Sequence, residues 1–366
     1  MLQSMFRLEA RTAPSRSAKW LSPLIAIAAM IACGFMLFWL LGKDPVAALR
    51  AFFIEPVATR YGIGELLLKA SPLALIGTGL AIGYRANVWN IGAEGQLAAG
   101  AIAGGGVALA LDGTAGAWVL PAMFVAGALG GIAWAAIPAF LRTRCNANEI
   151  LTSLMLVYIA TLLLSLLVHG VWRDPEGFNF PQSRMFAASA LLPNILEGTR
   201  LNAGALLTLF AVALAWVFTQ RSFVGFEMRV AGLAPDAARY AGISAPRMVW
   251  LGMLIGGACA GVAGVGEIAG PIGQLLPSVS PGYGFAAIIV AFVGRLHPVG
   301  VLLASLLMSL LYLGGESAQL ELNLPSSVTG MFQGTLLFFL LAADVLIHYR
   351  VRVGVRAASR STPARA

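Results

Sequence analysis

The chain is poor in charge. Only 11% of its 366 residues are Asp, Glu, Lys or Arg, against roughly 25% in a soluble globular domain. Beside 59% hydrophobic residues and a mean hydropathy of +0.83, that deficit excludes an ordinary water-soluble fold. Cysteine is scarce: Cys33, Cys145 and Cys259 sit in or beside apolar runs, with neither metal spacing nor a disulfide framework. The histidines, His169, His297 and His348, lie far apart and form no metal motif. Lysine is rarer than arginine. Lys43 follows Gly42 but precedes Asp44, while Lys19 and Lys69 follow alanine and leucine, so there is no Walker A phosphate loop. HExxH, GxSxG and zinc-type clusters are missing too. The sequence therefore nominates no catalytic residue, no metal site and no cofactor of its own.

What the chain does have is a series of apolar runs near 20 residues, the length needed to cross a bilayer as a helix. The runs are continuous rather than alternating, which favours helices over a barrel. The 42 glycines suit close helix packing in lipid. The expectation is an all-α polytopic membrane protein of about ten transmembrane helices, over residues 20–41, 62–84, 93–111, 117–141, 149–171, 203–219, 248–269, 283–293, 298–315 and 328–348. The eighth is short enough to be a re-entrant or broken helix. A signal peptide at 20–41 is disfavoured because the run continues past Cys33. The organisation expected is a basic tail (1–19), a transmembrane domain (20–348) and a second basic tail (349–366). Ten crossings put both termini on one side. That side would hold 17 of the Lys and Arg residues against 6 on the other, which makes it the cytoplasm. The asymmetry accounts for the net charge of +8 without nucleic acid, and the C-terminal tail suits anionic membrane lipid.

Some polar stretches interrupt this pattern. Residues 221–247 carry Arg221, Arg229, Arg239 and Arg247 against Glu227 and Asp236. Pro235 suits the first turn of a short helix, Asp236 its positive end and Gly242 its stop. Asp236 and Arg239 are spaced to pair. Such a helix could be offered to a partner, or the loop could be basic through topology alone. Residues 84–96, YRANVWNIGAEGQ, place Asn90 as a helix cap and Glu94 in the first turn. They read either as a break lining a transport path, with Trp89, Asn90, Glu94 and Gln96 in it, or as a tight capped turn. Asn146 and Glu149 have capping-box spacing, and Glu65 and Lys69 are four apart and able to pair. Glu267, before Gly270-Pro271, and Glu316, after Gly314-Gly315, are ionisable groups near expected helix breaks. They mark a pathway or simply reach interfacial water. The external segment 172–202, with Pro175, Pro181 and Pro193, reads as an ordered loop, a docking surface or a plain connector.

Five stretches carry a resemblance: ANVWNIGAEGQLAAGA (86–101), NEILTSLMLVYIA (148–160), DPEGFNFPQS (174–183), MRVAGLAPDAARYAGIS (228–244) and PGYGFAAIIVAFVGRLHP (281–298). Together they resemble permease subunits of ATP-binding-cassette importers of the branched-chain amino acid and simple-sugar superfamily, in particular the nucleoside branch that works with basic-membrane-protein lipoproteins. The resemblance implies a multi-pass protein of the bacterial plasma (inner) membrane with both termini cytoplasmic. It implies three partners: an ATP-binding subunit that carries the ATP and magnesium, a second related permease, and an extracytoplasmic solute-binding protein or lipoprotein. It also implies that Arg229, Gly232, Pro235, Asp236, Ala237, Ala238, Arg239, Tyr240 and Gly242 belong to a segment that docks on the ATPase. Leu233-Ala234 depart from the Ala-Asn usual before the proline, and Ala286 stands where aspartate is often found. Sugar is the alternative solute. An ion-coupled secondary transporter using Glu94 or Glu267 is the alternative mechanism.

Overall fold

The computed structural model describes residues 6–10, 16–113 and 116–353. Their regular structure is almost all helical: α1 (Arg16–Leu40), α2 (Pro45–Phe53), α3 (Arg60–Arg85), α4 (Ala93–Ala110), α5 (Val119–Cys145), α6 (Glu149–His169), α7 (Gly204–Arg221), α8 (Phe223–Leu233), α9 (Pro235–Tyr240), α10 (Ala245–Glu267), α11 (Tyr283–Val293), α12 (Pro298–Leu322) and α13 (Ser327–His348). Strands β1 (Phe6–Ala10) and β2 (Tyr349–Val353) complete the described elements.

The chain forms two compact units. One comprises Met1–Leu49 with Pro325–Ala366. In it α1 packs along α13, with the Phe38 and Phe332 rings 5.8 Å apart. Strands β1 and β2 pair antiparallel, Phe6 opposite Val353 and Ala10 opposite Tyr349. Each expected basic tail thus carries a short strand. The remaining tail residues, 1–5, 11–15 and 354–366, lie outside those described.

The other unit, Arg50–Leu324, is built around α3. Its apolar stretch is 78% buried, whereas those of α6 and α7 are 22% buried. A helix apolar all round is stable in water only when enclosed. Helix α3 is enclosed by α7, α10, α11 and α12, while Leu162 and Leu166 of α6 are left for lipid. Helices α4, α5 and α10 cross at glycine: a methyl group on Gly261 would collide with the Gly127 carbonyl, and one on Gly100 with Gly261 itself. Small residues let these helices approach backbone to backbone.

Each expected span has a helix, and among the described residues six helices are long and apolar enough to cross a membrane: α3, α5, α6, α7, α10 with its extension to Ile272, and α12. Shorter apolar helices run over Leu24–Leu40, Tyr283–Val293 and Ser327–Ala343, so the expected count of ten is not confirmed. Helix α4 opens on Glu94 and Gln96 and is rich in glycine. Helix α11 has eleven residues, a length of about 16 Å, half of a hydrocarbon core of about 30 Å.

Candidate functional site

The polar features gather at the two ends of α3 and at the junction where α4 and α11 begin. After Arg85 the chain leaves helical geometry, with Asn87 at φ +56°, and re-enters it at Ala93 behind Gly92. Asn90 is not the cap expected from sequence. Its Nδ2 donates to Gln96 Oε1 at 2.8 Å, and its Oδ1 accepts from Gln96 Nε2 and from the Gly92 N–H, each at 3.0 Å. Both amides are buried, where unpaired polar groups are costly, so each satisfies the other. Trp89 stacks on Phe292 at 5.8 Å and donates from Nε1 to Asn87 Oδ1 at 2.8 Å. Tyr84 stacks on Phe292 at 5.3 Å and donates its hydroxyl to the Asn90 carbonyl at 3.1 Å.

Glu94 ties this break to α11. Its Oε2 accepts the Gly284 N–H at 2.6 Å, with the Ser280 side chain and the Gly282 N–H as further donors. The carboxylate therefore lies between the first turns of two helices, where both dipoles favour a negative group. The approach requires glycine, because a methyl group at Gly284 would collide with the Glu94 backbone.

A charged cluster lies toward the N-terminal end of α3. Arg200 grips Glu65 bidentately, Nε to Oε1 at 2.9 Å and Nη2 to Oε2 at 2.6 Å. That carboxylate holds the guanidinium's pKa above its already high value. Lys69 pairs with Glu316 of α12 at 2.8 Å. The expected Glu65–Lys69 pair does not form, since each residue has a partner from a distant element. Glu316 lies within α12 rather than beyond its end. Glu267, 7% exposed, closes α10 and faces the charges of Lys69 and Arg200. Ser71, Asn202, Thr208 and Glu267 line a cavity of about 30 Å³, room for a water molecule. Tyr283, at the start of α11, meets Tyr312 edge-on at 5.5 Å. The segment 172–202 is stitched to the chain that follows Glu267. The Ser183, Phe186 and Leu192 N–H groups donate to the carbonyls of Leu275, Gly273 and Ala269 at 3.0, 2.9 and 2.7 Å.

At the opposite end of α3, α8 and α9 fold as two short helices joined at Ala234. Pro235 opens α9 behind Ala234, whose side chain makes no capping bond. Asp236 and Arg239 approach to 3.8 Å. Gly242 stops the helix at φ +82°, with Ile243 N–H returned to the Ala238 carbonyl at 2.9 Å. Tyr240 is 97% exposed and Leu233 80%. A groove of about 420 Å³ runs between Ala231, Pro235, Asp236, Arg239, Ile243 and Pro246. Behind it Met228 of α8 is buried with Ile82, Val88, Met248 and Met253, and Gly232 seats on the Arg85 carbonyl.

Residues 62–341 match the model of the family described as "Branched-chain amino acid transport system / permease component". The chain belongs to this permease family. Among its relatives, the glucose ABC transporter permease protein of Haloferax volcanii is 36% identical, over 97% of this chain and 95% of that protein. The guanosine ABC transporter permease protein of Bacillus subtilis is 31% identical, over 90% and 94%. The nucleoside ABC transporter permease protein of Lactococcus lactis is 28% identical, over 91% and 93%. Like them, the chain is a permease subunit and not an enzyme; ATP hydrolysis belongs to a separate subunit, and ATP-binding and solute-binding partners are general to such permeases.

Within the permease, Trp89, Asn90, Glu94 and Gln96 gather at one junction, while Glu267 belongs to the charged cluster, which the chain links to that junction through the start of α11. The coupling candidates keep together in α8 and α9: Arg229 reaches the Thr219 carbonyl at 3.4 Å, Ala237 accepts the Ala241 N–H at 3.0 Å, and Ala238 is buried beneath them. The Asn146–Glu149 capping box is not formed. Asn148 caps α6 through the Ile150 N–H at 2.9 Å, Asn146 ends α5 at φ +56°, and Glu149 pairs with Arg142. Sequence reasoning missed Arg200, Arg85 and Gly284, whose partners lie 135, 211 and 190 residues away. The Gly-Tyr-Gly run at 282–284 was the one local signal of a backbone approach.

Proposed function

We propose that this permease moves a nucleoside inward across the bacterial plasma membrane as one membrane subunit of an ATP-binding-cassette importer. The observation that carries the mechanism is the helix pair α8 and α9. Its outer face presents Tyr240, Leu233 and the Asp236–Arg239 pair, while its inner face is seated on the end of α3 through Gly232. A surface exposed on one side and anchored to the central helix on the other is suited to receive a push and pass it on. In this reading residues 221–247 face the cytoplasm and dock on the ATPase, which holds ATP and magnesium. Both termini lie on that side in this reading; the pairing of β1 with β2 supports only that the two share one side. Segment 172–202 faces the opposite side and receives the solute-binding lipoprotein. A second, related permease completes the pathway, which runs past Trp89, Asn90, Glu94, Gln96 and Glu267.

Nucleoside is favoured by the solutes named for two relatives, guanosine and nucleoside. Glucose is the second reading, favoured by the relative that is 36% identical. Cells expressing the complete transporter should accumulate radiolabelled guanosine, and excess unlabelled adenosine should compete while excess glucose does not. Competition by glucose alone reverses the assignment.

A further inference from the structure

We infer that α11 is a strut that carries movement of α8 to the Glu94 junction, and that Arg85 is the positioning residue joining the two. This deepens the coupling reading of α8 and α9 and rests on it. Arg85 touches both moving parts. Its carbonyl is the seat of Gly232, where a methyl group would collide with it and meet Ala86 Cα at 3.2 Å. Its side-chain Nε donates to the Leu296 carbonyl at 2.8 Å, in the turn that closes α11. That turn is compact: Arg295 and Leu296 take φ of +54° and +55°, and their N–H groups return to the Phe292 and Ala291 carbonyls at 2.9 Å each. Gly294 and Gly300 meet backbone to backbone, so the turn moves with the first residues of α12.

The far end of α11 is held as firmly, by the Gly284 N–H on Glu94 at 2.6 Å. Between the two ends the helix is a continuous hydrogen-bonded rod about 16 Å long. Packed elements of this kind shift as units rather than deform. A displacement of α8 therefore reaches Glu94 through Gly232, Arg85, Leu296 and α11 in turn. Among the described residues no carboxylate pairs with Arg85, and its Nη1 is buried without a hydrogen-bond partner. Arg229 on α8 and His297 face it as further basic groups. The guanidinium is thus held to α11 by one carbonyl, a clasp that follows α8 and is readily exchanged.

The test uses the complete transporter in liposomes, with the native cysteines replaced by alanine and nitroxide pairs read by pulsed spectroscopy with and without Mg-ATP. One pair joins position 226 on α8 to position 162 on α6. The other joins position 285 on α11 to position 162. The expected result is that both distances shift in the parent protein. Arg85→Ala should keep the α8 shift and lose the α11 shift. Gly232→Ala should lose the α11 shift, and Arg85→Lys, whose ammonium still reaches the Leu296 carbonyl, should restore at least half of it. An Arg85→Ala protein in which α11 still shifts overturns the inference, as does one in which both shifts vanish, because Arg85 would then merely hold α8 in place. An α8 that does not shift even in the parent overturns the coupling reading itself, and this inference falls with it.

Discussion

Glu65 shows what one buried charge demands of its surroundings. Its side chain is 6% exposed and its bidentate partner Arg200 is 54% exposed. Removing one member of a fully buried ion pair costs about 3–5 kcal/mol because the other charge is stranded. Here water reaches the arginine, so Arg200→Ala should cost less, about 2 kcal/mol. The loss should appear as a lower thermal midpoint of the detergent-solubilised protein. Adding Glu65→Gln should recover most of it, since a neutral amide needs no counter-ion. Equal midpoints for Arg200→Ala and the double variant would falsify the stranded-charge account. None of this was legible in the chain. Helical spacing offered Lys69 as the partner of Glu65, and the rule it rests on was sound. Yet a partner four residues away can be outbid by one delivered 135 residues later by a separate loop. Asn90 shows the same limit. The local capping rule assigns its side chain to the next helix start, while Gln96 claims both ends of the amide.

At the scale of elements, α9 was readable because its signals are local. Pro235, Asp236, Arg239 and Gly242 each act within one helical turn, and each stands where the sequence placed it. Gly242 carries the strongest constraint. At φ +82° a β-branched residue is strained by about 1–2 kcal/mol. Gly242→Val should therefore unwind the end of α9 without disturbing membrane insertion, and co-purification of the ATPase through a tag on the permease should fall severalfold. Full recovery of the ATPase would remove α9 from the docking surface. The turn between α11 and α12 supports a second prediction. Burial, and then the charge of Arg85, hold the His297 imidazole below its usual value. Protonation there also places a cation at the N-terminus of α12, the unfavourable end. A histidine that binds its proton less readily when folded contributes stability that is complete above the unfolded value of about 6.5 and lost as pH falls below it. The thermal midpoint should drop between about pH 7.5 and about pH 5.5, and His297→Gln should narrow that drop. An unchanged interval would mean that His297 does not contribute to it.

For the whole molecule, the family and the helical membrane fold were legible, and the span count is left unconfirmed. Apolar run length finds α5, α6 and α12 because lipid or apolar neighbours surround most of their length. It does not decide whether α4 and α11 cross, because both start on polar or glycine-rich turns inside the bundle and meet there through Glu94 and Gly284. Each first turn supplies a partner to the other, Gly284 N–H to the Glu94 carboxylate, which no single stretch reveals. The same feature bears on the energy source. Glu94 is engaged by backbone donors, and Glu65 and Glu316 by Arg200 and Lys69. A secondary transporter needs a carboxylate that takes up and gives up a cation in each cycle. Of the four carboxylates Glu267 is the one with no hydrogen bond or ion pair among the described contacts, so it alone would be left to couple a cation. On the ATP-driven reading, uptake by the complete transporter should survive collapse of the proton and sodium gradients while ATP is supplied on the ATPase side. It should stop within one turnover time when ATP is replaced by a non-hydrolysable analogue. Uptake that follows the ion gradients and ignores ATP would return Glu267 to the role of a coupling site and leave the helix pair α8 and α9 without a driver.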